Sequence, residues 1–169
     1  MRVRNLIGFW LIALLLSTGY RTYRGLEPMP LSDQRVSEVA VDFSTAEDGH
    51  IKLAYRELYA ERDSTPILLL HGNPMAGRAM LPLAKELGEA RRILIPDLSG
   101  LGFSERTLPA FSAEHQVSVL IAWLDSIGVQ QMHVAAYSQG SAVALELANR
   151  MPSRVQSVSL IAGVGLQEH

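Results

Sequence analysis

The chain has no cysteine among its 169 residues. That absence excludes a disulfide scaffold, a thiolate nucleophile, a Cys-ligated zinc or iron–sulfur site and a lipidated N-terminal cysteine. It leaves the redox compartment open. Internal repeats and low-complexity tracts are also absent. Charged residues make up only 19% and hydrophobic ones 48%, a balance suited to a folded chain and wrong for a disordered one.

The first 24 residues contain no acid. Arg2, Arg4, Arg21 and Arg24 give them +4; the 11 remaining basic side chains face all 17 acids, so the rest of the chain holds −6. An acidic body repels a phosphate backbone, which argues against a nucleic-acid partner. Between Asn5 and Tyr20 there is no charge at all, and Leu6–Leu16 reads LIGFWLIALLL. Basic residues before an apolar run are the layout of an export signal. The run is shorter than the ~20 residues that span a bilayer comfortably. Ser17, Thr18 and Gly19 provide small residues for cleavage after Gly19, while Trp10 and Tyr20 suit a retained interfacial anchor. A buried core helix is the alternative reading. The expectation is a signal peptide or membrane anchor over 1–24, placing the protein in an exported or membrane-associated location. Pro28 and Pro30 mark a linker over 25–38, and a folded domain follows over 39–169.

In that domain the periodicity switches repeatedly. Residues 39–45 alternate and are β-branched, Glu47-Asp48-Gly49 is turn chemistry, and 51–58 alternate again, so a hairpin is expected. Short continuous apolar runs at 66–72, 91–98, 129–138 and 155–165 suit strands buried on both faces of a sheet. Between them, 78–89, 112–127 and 141–151 carry helical spacing. Pro82 fits a first turn, Ser112 an N-cap and Gly128 a stop. Strand–helix alternation implies an α/β fold: a mostly parallel sheet with helices on both faces, here preceded by an N-terminal hydrophobic helix. Sites in such sheets form at the C-terminal ends of the strands.

Three motifs stand at those ends. In Ala136-Tyr137-Ser138-Gln139-Gly140 a serine separates a buried strand from a helix, with small residues two positions to each side. This spacing fits a nucleophile elbow, G-x-S-x-G, with Ala136 for the first glycine; it also fits a serine capping the helix. His71-Gly72-Asn73-Pro74 follows the strand ILLL. The backbone N–H of Asn73 is placed to meet a developing oxyanion, with the N–H of Gln139 as second donor; a plain turn is the other reading. His71 suits scaffolding of that loop better than proton transfer. In Asp97-Leu98-Ser99-Gly100-Leu101-Gly102-Phe103-Ser104 the glycines allow a sharp turn and Asp97 organises the loop. This motif has no Lys-Ser/Thr, so it is no phosphate loop.

Together, HGNP, DLSGLGFS and AYSQG on successive buried strands resemble the α/β-hydrolase family, over about residues 39–169, the first half of its fold. The resemblance implies Ser138 as nucleophile, the Asn73 and Gln139 backbones as oxyanion hole, and a small acyl substrate hydrolysed as ester, thioester or amide through an acyl-enzyme, with no cofactor or metal. Dehalogenase and epoxide-hydrolase relatives use aspartate where this chain has Ser138, so HGNP does not carry dehalogenation over.

After Ser138 the only acids and base are Glu146, Glu168 and His169. The family places its acid and histidine after later strands, so Glu168-His169 reads as a false dyad and Glu146 as a helix-surface residue. His115 and His133 fit no better. The expectation is a hydrolase whose acid and base lie in a C-terminal continuation or a complementing chain, with an unpaired apolar edge at 155–161. The alternative is an inactive binding or assembly module.

Overall fold

The computed structural model describes residues 36–43, 49–106 and 112–163. The apolar segment at 5–20 and the Glu168-His169 pair lie outside them. Among the described residues no helix is long and apolar enough to cross a membrane.

The chain enters as an antiparallel hairpin of β1 (Val36–Phe43) and β2 (Gly49–Leu58). Then come β3 (Ile67–Leu70), a 3₁₀ turn (Gly77–Met80) running into α1 (Leu81–Leu87), and β4 (Ile93–Pro96). The second half is α2 (Ala113–Ser126), β5 (Met132–Tyr137), α3 (Gly140–Arg150) and β6 (Val155–Ile161). The strands form one sheet in the order β1-β2-β4-β3-β5-β6. Its β4–β3, β3–β5 and β5–β6 pairs are parallel, and β2 joins β4 antiparallel. The expected mostly parallel α/β sheet is therefore present.

Local chemistry explains the boundaries. The hydroxyl of Ser112 accepts the His115 N–H at 3.3 Å and caps α2. Gly128, at φ +71°, turns the chain after it, a conformation that is costly for any residue with a Cβ. Pro82 sits in the first turn of α1, where its missing N–H has no partner to lose.

Alternation along the strands builds two layers of core. Leu68, Leu70 and Leu94 join Ile51 and Leu53 against α2 and α3, where Trp123, Leu120, Ala144 and Leu147 are buried. The rings of Tyr55 and Trp123 lie 5.1 Å apart at 55° in this layer. Leu69, Ile93 and Ile95, also fully buried, point to the opposite face, which carries Met80, Leu81 and Ala84.

Two expectations need correction. The first strand begins at Val36, three residues early, because Val36, Ser37 and Glu38 already pair with Arg56, Tyr55 and Ala54. The last strand is not buried on both faces: Gln156, Ser157, Ser159 and Ile161 are exposed. Among the described residues it is the expected edge strand, pairing with β5 alone, and its exposed positions are largely polar rather than apolar.

Candidate active site

The chain leaves β3 toward β4 on one side and leaves β5 toward β6 on the other. That divergence opens a crevice above the carboxyl ends of β3 and β5, and Ser138 stands there. Its φ is +51°, a left-handed conformation that costs an ordinary residue about 1–3 kcal/mol. The turn is held from both directions. The Ser138 N–H donates to the Ile161 carbonyl at 2.9 Å, and the Ser138 carbonyl accepts from Ser141 N–H at 3.0 Å. Two glycines make the space. A Cβ on Gly72 would stand 2.9 Å from the Ser138 Cβ; one on Gly140 would stand 2.6 Å from the His71 carbonyl oxygen and 2.9 Å from that of Leu70. Helix α3 therefore starts directly over the end of β3, and only glycine fits at the crossing. Ala136, which stands where the motif has its first glycine, is completely buried.

The loop after β3 is fixed through the ring of His71. Its Nε2 accepts the Leu98 N–H at 2.9 Å, so the proton is on Nδ1, which donates to the Gly72 carbonyl at 2.9 Å. The ring is neutral. Burial pushes its pKa below 6.5, the Arg56 guanidinium adds to this, and the Gly72 carbonyl and Asp97 carboxylate oppose it. The Gly72 carbonyl also accepts from Met75 N–H at 3.0 Å. That carbonyl and the Asn73 N–H belong to one planar peptide unit, so the grip on one sets the direction of the other. The Asn73–Pro74 peptide is cis. His71 is thus a scaffold with both nitrogens engaged.

Asp97 is the hub of the next loop. Its Oδ1 accepts from Arg56 Nη1 at 2.9 Å and Gly77 N–H at 2.6 Å, and its Oδ2 from Phe103 N–H at 2.9 Å. Gly77 and Gly102 lie so close that a Cβ on either would meet these oxygens at 2.8 Å and 2.2 Å. Ser104 Oγ donates to the Asp97 carbonyl and accepts from Ala54 N–H, tying the loop to β2. Two participants escaped the sequence reading. Arg56 is 3% exposed, although alternation shows only that it shares a face with Ala54. Gln116 takes both backbone groups of Ser99, accepting from its N–H and donating to its carbonyl at 2.9 Å each. Its signal was a polar residue inside the apolar stripe of a helix.

A cavity of about 440 Å³ opens beside these loops. Asn73 and Gln139 line it together with the chain after β4 and the first turns of α2 and α3; Ser138 adjoins it through Gln139 without lining it. The structure thus brings Ser138, Asn73 and Gln139 to one crevice. It brings no acid or base to them: among the described residues no side chain is hydrogen-bonded to the Ser138 hydroxyl. Glu146 pairs with Arg150 at 2.6 Å along α3. His133 Nδ1 lies 2.8 Å from Ser157 Oγ on the neighbouring strand, and His115 is in the first turns of α2. Among the described residues no three His, Asp or Glu side chains cluster as metal ligands would.

Residues 65–168 match the family model described as alpha/beta hydrolase fold. The chain is 36% identical over 123 residues to the dihydrolipoyllysine-residue acetyltransferase component of the acetoin cleaving system of Pseudomonas putida, covering 73% of this chain and 33% of that one. It is 35% identical over 115 residues to a 2-hydroxymuconate semialdehyde hydrolase of Pseudomonas putida, covering 64% and 40%. It therefore spans well under half the length of these relatives. A malate-bound thermophilic esterase from Thermogutta terrifontis has the same fold, with a TM-score of 0.70 at 22% identity over 79% of this chain and 48% of that one.

Proposed function

The chain belongs to the α/β-hydrolase fold family, and on that premise we propose that it carries the nucleophile and oxyanion hole of a serine hydrolase acting on small acyl substrates. The observation that carries this reading is Ser138 at φ +51° between β5 and α3, in space that Gly72 and Gly140 keep free. Ser138 Oγ adds to the acyl carbonyl of an ester, thioester or amide, and its proton passes to a base outside the described residues. The carbonyl π electrons move onto oxygen, where the N–H groups of Asn73 and Gln139 meet the negative charge. The N-terminal end of α3 adds positive potential. One such donor is worth about 3–4 kcal/mol of barrier. Collapse expels the alcohol, thiol or amine, which takes up a proton, and water then releases the acid from the acyl-serine.

The oxyanion hole alone retains about 10³–10⁴-fold over water. The test is therefore mass spectrometry of the full chain after treatment with an alkyl fluorophosphonate, with imidazole added as base. An adduct on Ser138, lost in Ser138→Ala, is expected. Absence of an adduct with imidazole present, or its location on another serine, overturns the proposal.

The second reading, a binding module without turnover, is favoured by one observation: no acid or base reaches Ser138 among the described residues. Under it, ligands occupy the cavity and Ser138 stays unmodified under the same treatment.

A further inference from the structure

We propose that the cavity beside the oxyanion hole is a subsite for an uncharged, apolar acyl chain of medium length, with Ala113 and Ala142 setting the length accepted. The inference rests on the serine-hydrolase reading and names its substrate class. At about 440 Å³ the cavity falls within the ~300–1,000 Å³ of small-molecule sites.

Its walls decide the chemistry. None of the described residues that line it is Asp, Glu, Lys or Arg. The apolar lining comes from Leu98 and Leu101 after β4, Ala113 on α2, and Ala142 and Val143 on α3. The polar side chains among the rest are largely spent on the scaffold. Both ends of the Gln116 amide hold the backbone of Ser99. Both nitrogens of His71 hold Leu98 N–H and the Gly72 carbonyl. The Ser112 hydroxyl caps α2. Ser99 Oγ is buried without a partner, leaving one neutral hydroxyl in that wall. Polar groups still open to a ligand are those of Asn73 and Gln139, both exposed, on the side where the scissile carbonyl is bound.

A carboxylate on the chain would lose its hydration with no cation to receive it. A hydrocarbon chain gains from leaving water against these walls. Ala113 and Ala142 stand at the first turns of two helices, where each extra methylene on the protein removes room for one on the ligand.

The test is ligand-observed NMR titration of the full chain at pH 8 with hexanamide, hexanoate and butanamide. It needs no turnover. Hexanamide is expected to bind about tenfold or more tighter than hexanoate. Ala142→Phe or Ala113→Phe abolishes this binding. The milder Ala142→Val weakens hexanamide more than butanamide, so the length argument stands even where the larger substitutions fail to fold. Equal affinity for hexanoate and hexanamide, or full hexanamide affinity in a folded Ala142→Val protein, overturns the inference. Selective hexanamide binding without a fluorophosphonate adduct on Ser138 would sink the serine-hydrolase reading while leaving the cavity assignment intact. An adduct on Ser138 without that selectivity would do the reverse.

Discussion

The imidazole of His71 takes the Leu98 N–H on its Nε2 at 2.9 Å, so one ring braces the loop after β3 against the loop after β4. The bond exists only while Nε2 is unprotonated. A proton there removes the acceptor and leaves a buried N–H without a partner, a cost of about 1–3 kcal/mol.

A pH dependence follows from that bond. The folded-state pKa of His71 is held below its ordinary 6.5, first by burial. The unfolded chain therefore binds the proton before the folded one does. Stability from the neutral ring is fully present above pH 6.5 and is lost as pH falls from there through the folded value. Denaturant unfolding at pH 7.5 and 5.5 should show a drop that His71→Gln reduces. An equal drop in the variant would place the effect elsewhere.

Gly140→Ala should cost at least about 2 kcal/mol, by the reasoning that applies to overpacked cores. Its Cβ would meet backbone oxygens of β3 at 2.6 and 2.9 Å, which cannot rotate away. Gly128→Ala is the control: φ is +71° but nothing lies within 4 Å, so only the left-handed conformation is penalised, at about 1–2 kcal/mol. Thermal or chemical unfolding of the two variants checks the order, and an equal cost would contradict the close crossing of α3 over β3.

Asp97→Asn keeps the shape of the side chain and removes its charge. It leaves Arg56 buried without its counter-ion and turns an NH₂ toward either Gly77 or Phe103, both of which are donors. Breaking a buried pair from one side costs about 3–5 kcal/mol. Adding Arg56→Met should recover part of the loss. Additive costs in the double variant, measured by unfolding, would show that the two residues do not act as a pair.

The elements readable in the sequence were those governed by short-range chemistry. The Ser112 cap, the stop at Gly128, Pro82 in a first turn and the hairpin of β1 and β2 all depend on neighbours a few residues away. The elbow was readable because a strand, a small-x-Ser-x-Gly step and a helix adjoin in the chain. Arg56 was not, since alternation tells which residues share a face and not what covers it. The loop around Asp97, contributed by another part of the chain, covers Arg56. The edge position of the last strand was readable, but its exposed face was not: VQSVSLI is apolar enough for an interior strand, while Gln156, Ser157 and Ser159 are among its exposed positions.

The sequence by itself determined the alternation of strands and helices, the mostly parallel sheet they form, and the position of Ser138 where β5 gives way to α3. Hydrophobic period and turn chemistry act along the chain and leave their record in it. Only the tertiary structure decided that Gly72 and Gly140 are required by contacts with Ser138 and His71, that His71 is neutral, and that Asp97 holds a buried arginine. It also decided that the side chains of Gln116 and His71 beside the cavity are already engaged by backbone groups. Each of these depends on groups from different parts of the chain meeting within hydrogen-bonding or van der Waals distance, and the strand order, not the local sequence, sets those distances.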